Sequence, residues 1–126
     1  MVEQKKKEEE QEEILIRGGI YLAKLNLNRA TEIGKIRPVI ILNSQTILNI
    51  MPSIVFVCPL SSKSQIEFSH LHIELTAKDN LKSNSYALIE HCRSITTKRI
   101  ILPRLAQTTS AELELILHRL QRLVGL

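Results

Sequence analysis

Residues 37–65 read RPVIILNSQTILNIMPSIVFVCPLSSKSQ and set the architecture of this chain. Two apolar runs in this stretch, residues 39–42 and 53–60, lie on either side of a polar break and are rich in Val and Ile. Short β-branched runs bounded by Pro, Asn and Ser are typical of buried strands. Pro38 is compatible with this interpretation, because the first position of a strand needs no ladder donor. The stretch therefore predicts two neighbouring β-strands.

Similar short runs continue on both sides of this stretch. Upstream, Arg17-Gly18-Gly19 is a turn signal before a predicted strand at residues 20–25, and a polar loop follows at residues 26–36. Downstream, the patterns predict three more strands, at residues 70–75, 85–95 and 100–105, the last of them a short edge strand. Strands at such short intervals are typical of small antiparallel barrels.

The C-terminal part of the chain changes from strand to helix periodicity. Thr109 and Glu112 form a capping-box signature, and Gly125 ends the helical pattern. Between them, apolar residues recur at the spacing of an amphipathic helix, at Leu113, Ile116, Leu117, Leu120 and Val124. The whole pattern predicts a mainly β (α+β) domain, an open or partly closed antiparallel barrel with one helix packed across it.

Length and charge divide the chain into two parts. Its 126 residues suffice for one hydrophobic core and are too few for two ordinary domains. The first 13 residues hold three of the 17 basic and six of the 13 acidic side chains, so a head of −3 precedes a body of +7. The head has almost no apolar residues, and residues 1–13 are predicted to be a disordered or frayed-helical extension. Residues 14–126 form the predicted folded domain.

The basic body favours a polyanionic partner, most simply nucleic acid. Because the chain has only two Tyr, two Phe and no Trp, the contacts are expected to be mainly polar and ionic. No apolar run approaches the ~20 residues that span a bilayer, and the charged N-terminus does not resemble a signal peptide. We therefore expect a cytoplasmic protein without a membrane partner.

Three common kinds of reactive site are disfavoured by the sequence. His70 and His72 share a predicted strand face without a third ligand at metal-binding spacing, so solvent-facing histidines are predicted there. The glycines match neither the Walker phosphate-binding loop nor the dinucleotide-binding fingerprint, which disfavours nucleotide chemistry. Cys58 and Cys92 lie in apolar runs and are predicted to be buried, reduced and unreactive. Neither a metal nor another cofactor is therefore expected.

Polar residues near the predicted strand ends are the candidates for chemistry. A cleft between loops at those ends would gather an acid or base, a cationic phosphate clamp and hydroxyl donors. A purely structural interpretation is also open, with Glu32 as a turn residue and Glu90 and Arg93 as a buried ion pair. The candidates are Arg29, Thr31, Glu32, Lys35, Arg37, Ser61, Ser62, Glu90 and Arg93.

In order and approximate spacing, five segments of the chain resemble the MazF/PemK family of toxin ribonucleases. They are residues 17–21 (RGGIY), 31–41 (TEIGKIRPVII), 59–62 (PLSS), 88–95 (LIEHCRSI) and 98–100 (KRI). Any one of these motifs is weak, but the ordered series followed by the terminal helix is fairly specific. The resemblance extends from about residue 16 to residue 126.

This resemblance implies a compact SH3-like barrel with a C-terminal helix, assembled as a homodimer. It also implies metal-independent cleavage of single-stranded RNA at short sequences, by attack of a ribose 2′-hydroxyl on its own 3′-phosphate. The products would be a 2′,3′-cyclic phosphate and a 5′-hydroxyl. The expected protein partner is a cognate antitoxin, whose acidic tail would lie along the basic groove in competition with RNA.

The resemblance also assigns roles to individual residues. Arg37 would act as acid or base and stabilise the phosphate charge, Ser61 takes the place of the family's usual threonine, and Glu32 is the loop glutamate. A guanidinium gives bidentate phosphate contacts and a hydroxyl bonds a phosphate oxygen, which suits Arg37 and Ser61 to these roles. RNA contacts are expected from Arg29, Thr31, Lys35, Ser62, Lys63 and Arg93.

The sequence also departs from the family pattern. Gly19 stands where an acidic residue is usual, Ala30-Thr31 replaces Gly-Ser, and Ile33 replaces a polar amide. These changes are expected to shift the RNA sequence preference, and serine in place of threonine at Ser61 is expected to lower activity. An alternative function stays open, a catalytically inactive toxin-like module that binds antitoxin, RNA or gyrase. Arg37 argues against the gyrase inhibitor, because gyrase inhibitors of this fold lack the loop motif.

Overall fold

A curled antiparallel sheet with one long helix makes up the computed structural model, which describes residues 13–25, 35–64 and 66–126. The predictions for residues 1–12 and for residues 26–34 lie outside the described residues. Within the described ranges the strands are β1 (Gly19–Lys24), β2 (Ile36–Ile41), β3 (Ile54–Ser61), β4 (Ile73–Leu75), β5 (Ser85–Ala87), β6 (Arg93–Thr96) and β7 (Ile100–Gln107). The predicted mainly β architecture is confirmed.

Strand pairing wraps the sheet around the central strand β3. The strands follow one another in the order β4-β5-β3-β2-β1-β7, and every pair is antiparallel. One edge of β3 pairs with β2, whereas the other edge pairs with β6 along its first half and with β5 at its end. Two different partners on one edge curl the sheet into a half-barrel, and the predicted edge strand β7 lies at its margin.

The segment predicted as a single strand at residues 85–95 is two strands joined by a 3₁₀ turn at Ile89–His91. The single-strand prediction is wrong because β5 and β6 pair with different halves of β3, and the turn between them takes up a register shift of three residues. A hydrogen bond fixes this turn on β3, since the Leu88 amide donates to the Pro59 carbonyl at 3.0 Å. Apolar periodicity cannot reveal such a break, because buried residues occupy the turn as well as the strands.

The polar break between β2 and β3 contains a short helix, α1 (Gln45–Asn49), that was not predicted. The Ser44 hydroxyl caps it by accepting a hydrogen bond from the Ile47 amide at 3.3 Å, and Leu48 is its buried residue. Five residues are too few to show helical periodicity, which explains why the sequence pattern did not indicate α1.

The terminal helix, α2 (Ser110–Leu123), begins at the predicted capping box of Thr109 and Glu112, which is confirmed. Gly125 follows the helix with a φ of 84°, as expected for a left-handed C-terminal residue. Ile116 is fully buried, whereas Val124, predicted on the apolar side, is 64% exposed because it lies beyond the last turn. No helix in the described part of the chain has the length and apolar character to cross a membrane.

The sheet separates two hydrophobic cores, one on each face. The helix face packs against α2 and includes Ile20, Ile40, Cys58, Leu60, Ala87 and Ile116. The reverse face includes Tyr21, Ala23, Val39, Ile41, Val55, Val57 and Ile95. Successive residues of β2 and β3 alternate between the two cores, as the period of two along a strand requires.

The turn predicted at Arg17-Gly18-Gly19 connects three strands. Gly18 has a φ of 76°, and a Cβ there would lie 2.7 Å from the Thr108 hydroxyl oxygen. Its amide donates to the Ile41 carbonyl at 2.8 Å, and its carbonyl accepts from the Thr108 amide at 3.0 Å. Gly18 therefore satisfies both the left-handed backbone and the close approach of β2 and β7.

Candidate active site

One end of the sheet brings together polar residues from three strands. Val39 pairs with Pro59 in the last pair that β2 and β3 form at this end, and Arg37 in β2 and Ser61 in β3 each lie two residues beyond that pair. Ser61 pairs in turn with Tyr86 of β5. Directly opposed residues in antiparallel strands have Cα atoms about 5 Å apart. Arg37 and the paired residues Ser61 and Tyr86 therefore lie at the same end of the sheet, and we call these three residues the site row.

The site row belongs to the reverse face. Arg37 lies two residues before Val39, whose side chain is part of the reverse-face core, and alternate residues of a strand share a face. Residues opposed in neighbouring strands also share a face, which places Ser61 and Tyr86 on the same side. Ala87, the neighbour of Tyr86, lies in the helix-face core, in agreement with this assignment. All three site-row residues are half-buried.

Other predicted site residues flank this row. Arg93, half-buried, begins β6 opposite Val57 and lies on the reverse face at about 13 Å along β3 from Ser61. Lys35 is exposed directly before β2. Arg29, Thr31 and Glu32 lie outside the described residues.

The loop that leaves β3 turns back on Ser61. The Lys63 amide donates a hydrogen bond to Ser61 Oγ at 3.1 Å, the contact of a serine turn. Ser62 and Lys63 are exposed beside it. This loop therefore presents the Ser62 hydroxyl, the Lys63 ammonium group and the hydrogen-bonded Ser61 side chain at the same end of the sheet.

Tyr86 is a member of the site row that sequence reasoning missed. The sequence has four aromatic residues, and this small number predicts polar and ionic contacts rather than base stacking. The sequence offered one signal, because Tyr86 alternates with the small residues Ser85 and Ala87 along the strand. In the structure Ser85 and Ala87 are buried, and Tyr86 lies on the partly exposed face. Only the pairing of β5 with the end of β3 places this ring next to Ser61.

The chemistry of the site row suits a phosphate group. A guanidinium donates two parallel hydrogen bonds to a phosphate, and an adjacent hydroxyl donates to another oxygen of the same group. Among the described residues no carboxylate pairs with Arg37, so its charge is available to an anion. An aromatic ring on the same row adds a surface on which a nucleobase can stack.

A second polar cluster lies behind this row and corrects two predictions. His72 was predicted to face solvent, but its side chain is 1% exposed, since β4 begins only at Ile73 and the alternation does not extend back to it. His72 Nδ1 lies 2.6 Å from Ser64 Oγ, and Nε2 lies 2.7 Å from a carboxylate oxygen of Glu90. The alternative of a buried Glu90–Arg93 ion pair is therefore wrong, because Glu90 pairs with His72. His70, in contrast, is exposed as predicted.

The two cysteines are free, and Cys58 of β3 lies next to Cys92, which directly precedes β6. A hydrogen bond with the Cys92 thiol and, second, burial raise the pKa of the Cys58 thiol well above its ordinary value. A buried thiol with a raised pKa holds little thiolate, in agreement with the predicted lack of reactivity. Cys92 is half-buried, so the prediction of full burial is wrong for it. In the described residues no group of three or more His, Cys, Asp or Glu side chains forms a metal site.

Solved structures with the same fold are toxins and toxin–antitoxin complexes. A MazE–MazF complex from Deinococcus radiodurans is 19% identical, covers 90% of this chain and 99% of its own, and has a TM-score of 0.72. MazF from the same organism is 22% identical, with 90% and 99% covered and a TM-score of 0.69. The Mycobacterium tuberculosis toxin MazF-mt6 is 16% identical, with 86% and 97% covered and a TM-score of 0.67. A comparison with curated proteins gave no significant match.

Because these solved structures are at most 22% identical to the chain, they establish only its fold. The family of the chain is established by a sequence profile. The profile described as "PemK-like, MazF-like toxin of type II toxin-antitoxin system" matches residues 16–124. This range includes all seven strands of the described residues and the whole of α2. The chain therefore belongs to the PemK-like, MazF-like toxin family of type II toxin–antitoxin systems.

Proposed function

We propose that this chain is a sequence-selective, metal-independent endoribonuclease that cleaves single-stranded RNA. The observation that carries the proposal is that Arg37 and Ser61 each lie two residues beyond the Val39–Pro59 pair, on the reverse face at one end of the sheet, in a chain of the MazF-like family. The +7 body supports a polyanionic substrate, because clustered cations release counterions from a phosphate backbone.

In the proposed reaction the 2′-oxygen of a ribose attacks the adjacent phosphorus. A base removes the 2′-hydroxyl proton, the new bond from the 2′-oxygen to phosphorus forms, and the bond from phosphorus to the 5′-oxygen breaks. The departing 5′-oxygen takes up a proton, which leaves a 2′,3′-cyclic phosphate and a 5′-hydroxyl. Glu32 is our candidate for the base, by its place in the family motif.

Arg37 has two tasks in this scheme. Its guanidinium stabilises the extra negative charge on the phosphate oxygens in the transition state, where a fixed donor has its largest effect. It would also protonate the leaving 5′-oxygen, since an alkoxide is a stronger base than a neutral guanidine. The Ser61 hydroxyl donates to a non-bridging phosphate oxygen and so holds the phosphate in register with Arg37.

The remaining site residues would bind the RNA on either side of the cleaved bond. Tyr86 offers a stacking surface for a base beside Ser61. Backbone phosphates further along the strand would contact Lys35, Ser62, Lys63 and Arg93, and the loop residues Arg29 and Thr31.

Control of this activity would fall to an antitoxin, as in the MazE–MazF complexes of the same fold. An acidic antitoxin tail would compete with RNA for the cations of the reverse face. We also propose that two copies of the chain form a homodimer and that the toxin acts on cytoplasmic RNA.

The test is end mapping of RNA cleaved by the purified protein. Wild-type protein incubated with a mixed RNA in EDTA should give discrete cuts with 2′,3′-cyclic phosphate and 5′-hydroxyl ends. Arg37→Ala should lower the cleavage rate by about 1,000-fold, the upper range for loss of one transition-state donor, without lowering the melting temperature.

Arg122→Ala is the matched control, because Arg122 is an exposed arginine at the end of α2. It should cleave at the wild-type rate. RNA binding without cleavage in any RNA would contradict the proposal and favour the non-catalytic binding module.

A further inference from the structure

The Ser64–His72–Glu90 cluster, which we call the clamp, connects three elements around the end of β3. Ser64 lies in the loop after β3, three residues beyond Ser61. His72 immediately precedes β4, and Glu90 lies in the 3₁₀ turn that follows β5. The site residue Ser61 and the clamp residue Ser64 therefore lie on one short loop.

The hydrogen bonds of the clamp are mutually consistent. Both carboxylate oxygens of Glu90 lie close to His72 Nε2, at 2.7 and 2.9 Å. A carboxylate only accepts, so Nε2 carries a hydrogen and donates it. Nδ1 of the neutral ring is then an acceptor, and the Ser64 hydroxyl donates to it across 2.6 Å.

Burial makes the clamp a support rather than a contact surface. The His72 side chain is 1% exposed and that of Glu90 is 10% exposed, so an RNA phosphate does not reach the ring. Glu90 is itself held near β3, because its turn is fixed by the hydrogen bond from Leu88 to Pro59. Pro59 lies two residues before Ser61 on the same strand. The clamp thus connects the loop after Ser61 to the strand before it.

From this geometry we propose that His72 is a positioning residue that acts through Ser64. By holding Ser64, it fixes the loop of residues 61–64, in which the Lys63 amide donates to Ser61 Oγ. The Ser61 hydroxyl then stays fixed at the end of the sheet that also carries Arg37. Catalytic groups misplaced by about 1 Å can lose on the order of 100-fold in rate, so such support is consequential. This inference rests on the proposed ribonuclease function.

Three variants test the role of the clamp. Ser64→Ala removes only the hydroxyl that His72 binds, and Ser64→Thr keeps a hydroxyl and should restore the contact. Ser69→Ala is the matched control, because Ser69 is an exposed serine of the same connection and contacts His72 only through its backbone carbonyl, at 3.2 Å. Ser64→Ala leaves the buried Nδ1 of His72 without its partner and should lower the melting temperature by a few degrees while the protein stays folded, whereas Ser64→Thr and Ser69→Ala should melt close to wild type.

The kinetic readout is the cleavage of a short RNA that contains the mapped site. Ser64→Ala should lower kcat by roughly ten-fold with little change in KM, because the displaced Ser61 is needed most in the transition state. Ser64→Thr should recover most of this loss, and Ser69→Ala should match wild type. An unchanged kcat in Ser64→Ala would overturn the proposal.

A second readout does not depend on activity. Backbone ¹⁵N relaxation should show residues 61–64 as rigid in wild type and in Ser64→Thr, and as mobile in Ser64→Ala and His72→Gln. If wild type cleaves no RNA but the variants show this difference in mobility, the proposed ribonuclease function is wrong and the positioning role of the clamp is supported. If the loop is equally mobile in wild type and Ser64→Ala, the clamp fails. Labelling of Ser64 by a fluorophosphonate probe would also overturn it, since a nucleophilic serine would then replace the structural one.

Discussion

The helix face and the reverse face are made from the same strands, but charged groups are used differently at their margins. At the margin of the helix face, Lys78 pairs with Glu112, which also accepts from the Thr109 amide at 2.8 Å. At the end of the reverse face, no carboxylate among the described residues pairs with Arg37, and the paired residues Ser61 and Tyr86 lie at the same end of the sheet. The Lys78–Glu112 pair uses its charges within the fold. The side chains at the end of the reverse face keep hydrogen-bond donors for a ligand.

This contrast separates stability from function within one sheet. Ile116 on α2 is fully buried in the helix-face core, so changes there alter packing. The site-row residues are half-buried at the end of a strand pair, so changes there remove donors while leaving most of the packing in place. Substitutions on the two faces should therefore give separable effects.

The largest effect is expected from Ile116→Ala. Removing a fully buried side chain leaves a cavity, so the free energy of unfolding should fall by about 3 kcal/mol, as measured by urea denaturation. Leu115→Ala is the control, because Leu115 is 50% exposed. An equal loss in both variants would show that the helix face is not the main core.

Ser61→Ala should have the next largest effect, this time on chemistry. Loss of one donor to the phosphate should lower the rate of RNA cleavage by roughly 100-fold, with an unchanged urea midpoint. Ser61→Thr should raise the rate above wild type, because threonine is the family's usual residue. Ser94→Ala is the control, because Ser94 is an exposed serine of β6 that pairs with Phe56 of β3. If Ser61→Ala cleaved RNA normally, the hydroxyl would have no role in the site.

Tyr86 tests whether the site row extends to base binding. Tyr86→Leu should weaken binding of a non-cleavable 2′-O-methyl RNA by about ten-fold, as expected for loss of one stacked base, in a fluorescence anisotropy titration. Tyr86→Phe keeps the ring and should bind like wild type. A phenylalanine variant as weak as the leucine variant would identify the hydroxyl, and not the ring, as the contact.

The smallest effect concerns pH and the margin of the helix face. Burial raises the pKa of Glu112, but hydrogen bonds from Lys78 and Thr109 outweigh it, so this pKa lies below the ordinary value of 4.5. A lowered folded-state pKa stabilises the fold above the unfolded value, and this contribution disappears as the pH falls through the folded value. The difference in urea midpoint between wild type and Glu112→Gln should therefore be largest near neutral pH and shrink as the pH falls below the ordinary value of 4.5. A difference that grew on acidification would contradict this assignment.

The sequence predicted the local elements better than their partners. The capping box at Thr109 and the turn at Gly18 depend on neighbouring residues, and both are confirmed. The break between β5 and β6 and the burial of His72 were missed, because each depends on a distant partner, Pro59 for the turn and Glu90 for the ring. Distances between residues far apart in the chain are set by strand pairing, which periodicity does not encode.

By itself the sequence determined the alternation of short strands, the terminal helix, the basic body and the two motifs that carry Arg37 and Ser61. Only the tertiary structure decided that Tyr86 lies beside Ser61 and that Ser64, His72 and Glu90 meet behind it. The physical reason is that hydrophobic period and capping are local properties, whereas the register of β3 with two different strands on one edge is fixed by the packing of both cores at once.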